Sequence, residues 1–372
     1  MAPERVDDAE LERLGLYDPS GPHAAEQLEL LHFLLGLGAT TEDLLEYRNE
    51  LPAVASVVAL RPGKERLTGS EVSARAGVPD DLATKLQRAA GFAEVPADAR
   101  AFSEADVAML QTLQAAVTLF GEDAVVQLAR VIGSAMAKIA DALISSFLVN
   151  IEVPIVDKDP VGIEIARANA AAVALLPAVT GAMDVLLRRH IIAGRRSLRA
   201  LQETGAAGYE VQDLAVGFVD IVGSTTLTRT LSAGDLGRAL SAFETAAADA
   251  VTEGHGRVVK LIGDEVMFVT PDAPGACAIA LSLTQMFAAH PLVPQVRAGI
   301  AAGKVLSRDG DYFGPVVNLA ARVVRAAEPG IVVAPGDLAG PLGASGFSTT
   351  SLGSRTFDGI AEPVEVVAVK RA

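Results

Sequence analysis

Asn318 and Arg322 stand four residues apart in Pro315-Val316-Val317-Asn318-Leu319-Ala320-Ala321-Arg322, so on a helix they share one face. Asp311 lies seven residues before Asn318, in the Gly/Pro-containing approach to that helix. An acid, an amide and a guanidinium at this spacing suit a single nucleotide. Two further segments add to the set: Phe218-Val219-Asp220-Ile221-Val222-Gly223-Ser224-Thr225 and Lys260-Leu261-Ile262-Gly263-Asp264-Glu265. Asp220 ends a strand-like apolar run and Asp264 sits in a tight turn. A sheet that sets them side by side supplies two carboxylates for hard divalent cations, which take oxygen ligands, and the Ile221 carbonyl can add another. Gly223-Ser224-Thr225 begins a helix, whose first backbone N–H groups can hold phosphate oxygens. Read one at a time, these residues also have ordinary explanations: turn or cap aspartates, a hydroxyl cap, a solvated strand lysine, a surface arginine.

The elements that must position them alternate. A strand over 213–219 ends at Asp220, and a helix follows over about 233–253. Gly254-His255-Gly256 turns into a strand over 257–262, Gly263-Asp264 turns again, and 265–270 is the return strand. A helix near 275–289, a strand over 296–303, the helix holding Asn318 and Arg322, and strands near 330–333, 347–357 and 364–370 complete the pattern. Helices packed on one mostly antiparallel sheet make an α+β layer, consistent with a ferredoxin-like βαββαβ core.

The preceding 205 or so residues read as helical. Apolar periodicity runs over 25–35, with Gly36 and Gly38 as stop signals. Thr40-Thr41-Glu42-Asp43 opens a short helix through Arg48. Residues 68–78 and 80–90 have the pattern of a helix-turn-helix, and Phe102-Ser103-Glu104-Ala105-Asp106 caps a further helix. Long Ala/Leu/Ile/Val-rich helices reach about Asn150, Pro154 and Pro160 punctuate, and a helix runs from about 161 to 201 with a kink expected at Pro177. Gly205-Ala206-Ala207-Gly208 is the expected linker, dividing an all-helical domain over 1–204 from a second domain over 205–372.

Composition narrows the partners. The net charge of -15 argues against a general nucleic-acid binder, whose affinity rests on neutralising phosphates. In the helix-turn-helix pattern Arg75, Lys85 and Arg88 face Glu71, Asp80 and Asp81, a poor balance for phosphate contacts, which sets a DNA-binding regulator aside as a rival reading. The lone Cys277 excludes an intrachain disulfide, as in a reducing compartment, and reads as a buried small apolar residue. The acidic start MAPERVDDAELERL has no apolar signal core, so the expected location is the cytoplasm. The most membrane-like stretch, 170–187, contains Pro177 and Asp184 and runs into Arg188-Arg189-His190. It reads as a buried or dimer-interface helix rather than a span.

Taken together, the three segments over about 210–370 resemble the catalytic core of the class III nucleotidyl cyclases, specifically an adenylyl cyclase. The resemblance implies a ferredoxin-like class III catalytic domain preceded by an all-α regulatory domain. It implies formation of cyclic AMP and pyrophosphate from ATP with two Mg²⁺ or Mn²⁺ ions per site, held by Asp220, Asp264 and the Ile221 carbonyl. Gly223, Ser224 and Thr225 would hold phosphates. Lys260 and Asp311 would read adenine, Asn318 would orient the ribose and Arg322 would meet the charge developing at phosphorus. The family pattern places Asp220, Asp264, Lys260 and Asp311 on one protomer and Asn318 and Arg322 on the other, in a head-to-tail homodimer. Two departures stand out: Asp358 replaces a commonly basic residue in Phe357-Asp358-Gly359, and Ser224 stands where many relatives carry Phe. An inactive, nucleotide-binding module is the rival that Asp358 suggests. No Gly-Gly-(Asp/Glu)-Glu-Phe signature of a diguanylate cyclase is present. The layout also resembles soluble mycobacterial cyclases with an autoinhibitory, pH-responsive helical domain that holds a fatty acid, which makes His32 and His190 candidate sensors.

Overall fold

The computed structural model describes residues 6–61, 66–203 and 211–372. The expected linker at Gly205-Ala206-Ala207-Gly208 lies outside them. The chain divides into two compact units, Met1–His190 and Ile191–Ala372.

The first unit is helical, as its periodicity implied: α1 (Asp8–Arg13), α2 (Ala24–Leu37), α3 (Thr41–Glu46), α4 (Leu51–Leu60), α5 (Gly69–Ala76), α6 (Asp80–Ala89), α7 (Glu104–Phe120) and α8 (Glu122–Phe147). A π-helical turn (Leu148–Glu152) leads through α9 (Val153–Ile155) to α10 (Ile163–Ala174) and α11 (Leu176–Glu203), which runs past the unit boundary. Capping boxes at Thr40/Asp43, Thr68/Glu71 and Ser103/Asp106 satisfy first-turn amides where the hydroxyl signals placed helix starts. Asp159 does the same for α10. Its Oδ1 accepts from the amides of Gly162 and Ile163, and its Oδ2 from those of Glu164 and Ile165. Two apolar cores result. One gathers Leu30, Leu31, Leu34, Leu44, Val54 and Ile163, and the other Leu67, Val72, Leu82, Leu86, Leu110 and Val125. Arg61 reaches Asp43 at the edge of the first core, and this bond holds the Asp43 carboxyl down at about 2.

Several sequence expectations shift. α2 runs through Gly36 and stops at Gly38, whose φ of +100° is a left-handed cap that glycine adopts without strain. α3 ends at Glu46 rather than Arg48, and α4 went unforeseen because its apolar run has no polar face. The helix expected over 161–201 is two helices. The break falls at Leu175, and Pro177 occupies the first turn of α11, where its missing N–H costs nothing. The stretch 170–187 is not buried within the chain: Leu175, Leu186 and Leu187 are each more than half exposed. Among the described residues two helical stretches, Glu122–Lys158 and Ile163–Arg195, are long and apolar enough to cross a membrane, and neither buries its most apolar window.

In the second unit β1 (Val211–Ile221), α12 (Ser224–Thr230), α13 (Ala233–Glu253), β2 (Arg257–Ile262), β3 (Glu265–Thr270), α14 (Ala273–Met286) and β4 (Val296–Arg308) are followed by β5 (Asp311–Phe313), α15 (Pro315–Ala326), β6 (Val332–Pro335), α16 (Ala339–Ala344), β7 (Phe347–Arg355) and β8 (Val364–Arg371). The eight-stranded sheet has the order β2-β3-β1-β4-β6-β8-β7, with β5 paired to β4. Its first four strands and the helices α13 and α14 form the expected βαββαβ core, so the fold class is α+β and ferredoxin-like. Short β5 was not anticipated. One face of the sheet packs Phe243, Ala247, Cys277, Ile279 and Leu283 of α13 and α14 against Val219, Phe268 and Ile300. The other packs Ala320 and Val324 of α15 against Val216, Phe218, Met267 and Ala301.

α15 sits on Gly299. A Cβ built there would lie 2.3 Å from the Val324 backbone nitrogen, so only glycine allows the helix so close to β4. Gly299→Ala is expected to cost ~2 kcal/mol and lower the melting temperature of the second unit by roughly 5 °C. Gly340→Ala, with open space around its Cβ, should leave it unchanged or slightly raised in the same thermal melt.

Candidate active site

Strand register decides which polar side chains meet. Asp220 at the end of β1 lies directly opposite Glu265 of β3 and Arg297 of β4. Opposed residues project to the same face, here the one that also carries α15, because Phe218, Met267 and Ala301 share its parity. Lys260 lies opposite Met267 and joins that face after a bulge at Val259.

Asp220 is the most constrained member. Arg297 donates to its Oδ2 from Nε at 2.8 Å and from Nη2 at 2.6 Å. Asp264, in the turn between β2 and β3, is drawn alongside because its carbonyl accepts the Ile221 amide at 3.1 Å. Gly263 precedes it with φ +65°, which a two-residue turn assigns to glycine. Burial pushes the Asp220 carboxyl above its ordinary range; Arg297 opposes this, and the neighbouring Asp264 adds to it. Burial first, then the Asp220 charge, pushes Glu265 up to about 7, with Arg325 and Arg297 opposing. Paired, half-buried carboxylates that repel one another fit a cation. Among the described residues no group of three or more His, Cys, Asp or Glu is arranged to hold a metal ion. A cation here would rest on Asp220 and Asp264, with the Ile221 carbonyl and oxygens from substrate or water, as suits Mg²⁺.

Lys260 and Asp311 are already joined: Nζ donates to Oδ2 at 2.6 Å, and the Tyr312 amide donates to Asp311 Oδ1 at 2.8 Å. The Arg257 guanidinium stacks 5.1 Å above the Tyr312 ring, bracing β2 against β5. Asn318 and Arg322 lie on α15, which Gly314 (φ +132°) and Pro315 begin. Asn318 is exposed, and Arg322 donates from Nε to the Asp358 carbonyl at 3.2 Å. Among the described residues no hydrogen bond or ion pair links Asn318 or Arg322 to the aspartates or to Lys260 and Asp311. Gly223, at φ +75°, is the N-cap of α12, which Ser224 and Thr225 open.

Residues 207–368 match the family model of the adenylate and guanylate cyclase catalytic domain, and residues 8–192 that of the adenylate cyclase regulatory domain. The chain belongs to the adenylate cyclase family. An adenylate cyclase of Streptomyces coelicolor is 37% identical over 70% of this chain and 67% of its own length. A pH-sensitive adenylate cyclase of Mycobacterium tuberculosis is 30% identical over 98% of this chain and 93% of that protein. An uncharacterized protein of the same species is 33% identical over 90% and 87%.

In this cyclase the structure brings together Asp220 with Asp264 and Lys260 with Asp311, and Asn318 and Arg322 share one face of α15. Sequence reasoning gave no role to Glu265, Arg297 or Arg325. Glu265 adjoins Asp264 and could have been noted. Arg297 becomes visible only once β4 is registered against β1.

Glu265 makes stability depend on pH. Its ordinary value is 4.5, so the unfolded chain ionises it from about pH 4.5 upward while the fold keeps it protonated to about 7. Stability should therefore fall as pH rises through that window and then level off. Glu265→Gln is expected to remove this slope and to stabilise the metal-free cyclase at pH 8 by on the order of 2 kcal/mol. Urea denaturation of both forms at pH 5 and pH 8 measures it.

Proposed function

We propose that this adenylate cyclase converts ATP to 3′,5′-cyclic AMP and pyrophosphate at sites shared by two copies of the chain arranged head to tail. The observation that carries the reading is where the site residues do and do not bond to one another. Two groups, one suited to cations and one to a base edge, are assembled within the chain, while among the described residues exposed Asn318 and half-buried Arg322 bond to neither.

Bound Mg²⁺ or Mn²⁺, two ions per site, would acidify the ribose 3′-hydroxyl and neutralise the phosphates. Asp220 and Asp264, with the Ile221 carbonyl, would hold the ions. The first amides of α12 at Gly223, Ser224 and Thr225 would hold the β- and γ-phosphates. Lys260 would donate to a ring nitrogen of adenine and Asp311 would accept from its 6-amino group. Their existing ion pair keeps donor and acceptor side by side before ATP arrives. The partner copy would supply Asn318, to orient the ribose, and Arg322, whose guanidinium would meet the charge that builds at phosphorus.

The domain boundary at 204/205 and the cytoplasm, where ATP is available, belong to the same reading. The helical unit would regulate. The pH-sensitive relative supports a pH response, and His32 offers a group for it: its ring bonds Asp8 Oδ1 at 2.8 Å across α1 and α2. His190 is exposed on α11. The exposed apolar stripes of α8 and α11 would meet the second copy or take a fatty acid. Nucleic acid is not a partner in this reading: Arg75, Lys85 and Arg88 pair with Glu104, Glu122 and Glu94.

The first test is cyclic AMP formation from ATP by the whole chain and by residues 206–372, across pH 5.5 to 8. Higher activity of the short form at neutral pH, with the gap closing in acid, is the expected result. Asp220→Ala and Arg322→Ala are each expected to lower kcat by ~10²-fold or more, and a mixture of the two chains to recover activity through one intact site. A mixture as inactive as its components would remove the shared site. Asp358→Lys, restoring a base, is expected to lower KM for ATP several-fold.

A further inference from the structure

Arg297 is committed in an unusual way. Both of its donors to Asp220 fall on the same oxygen, Oδ2, and Oδ1 takes nothing from it. Its remaining nitrogen, Nη1, reaches the Arg325 carbonyl at 3.5 Å, a weak contact that leaves Asp220 as the principal partner. The pair is well shielded, with the Asp220 side chain 15% exposed and that of Arg297 29% exposed. Around it lie Glu265 on β3 and Asp264 in the adjoining turn, and Arg297 is the cation that bonds Asp220, while Arg325 is the larger opposing charge at Glu265. A guanidinium does not give up its proton in a protein. Oδ2 therefore becomes available only when the Arg297 side chain moves away.

We infer that Arg297 is a built-in counter-ion that competes with divalent cations for Asp220. The inference rests on the proposed reading of Asp220 and Asp264 as cation ligands. With Arg297 in place, Asp220 offers one free oxygen, enough for a single contact. Using both oxygens, to chelate one ion or bridge two, requires Arg297 to leave. Without metal, Arg297 thus offsets part of the site's negative charge, and the affinity for free cations is held down by the displacement of Arg297. A merely structural arginine would behave differently: its loss would loosen the sheet and weaken cation binding along with it.

The test is Mn²⁺ binding to the full chain without nucleotide, read by calorimetry or by the electron paramagnetic resonance of free Mn²⁺, together with the Mn²⁺-induced shift in melting temperature. Arg297→Gln is expected to bind Mn²⁺ roughly tenfold more tightly than the unaltered chain. It should also melt lower without metal and gain more on adding it. Arg297→Lys, which keeps the charge but loses the two-donor fork, is expected to fall between them and covers the case in which the glutamine variant does not fold. Mn²⁺ affinity that is unchanged or weaker in the substituted chains, with Asp220→Asn binding less than the unaltered chain, would overturn the competition while leaving Asp220 a ligand. Unchanged affinity in Asp220→Asn would overturn the ligand reading and the inference with it.

Discussion

A carboxylate at the end of the central strand sets the terms for this molecule. Asp220 is carried to the rim of a sheet whose middle strand, β1, is buried along much of its length, and the register of two neighbours fixes what it meets. On one side stands another acid, Glu265, and on the other a guanidinium, Arg297. Half-buried, the two acids do not keep their ordinary ionisation: burial and mutual repulsion raise both, and Arg297 with Arg325 offsets part of that charge. A site of this kind is poised for cations because its own charges are incompletely balanced.

The second constraint is the seat of α15. The helix that presents Asn318 and Arg322 is anchored by Ala320, Val323 and Val324 on its inner side, and glycine at 299 lets it settle against β4. Among the described residues its Asn318 and Arg322 make no hydrogen bond or ion pair with the aspartates.

The helical unit is built on a different principle. Short helices with hydroxyl caps pack into two modest cores, while α8 and α11 keep broad apolar surfaces outside them. Exposed apolar surface on this scale marks a place where something binds. It belongs to the domain that the family assigns to regulation.

Much of the fold was legible in the sequence because it is local. The turn at Gly254-His255-Gly256 and the Gly263-Asp264 hairpin fixed β2 and β3 to the residue. Site residue types and the four-residue spacing of Asn318 and Arg322 were equally plain, as both follow from chain geometry. What the sequence could not supply was pairing between distant segments. That Arg297 lies across from Asp220, that Lys260 bonds Asp311, and that Arg322 rests on the Asp358 carbonyl are facts of register and packing over separations of 77, 51 and 36 residues. The apolar run at 170–187 shows the same limit. Its composition declared a hydrophobic helix, but only tertiary structure could decide that the described residues leave much of it exposed, because burial depends on what packs nearby rather than on the residues themselves.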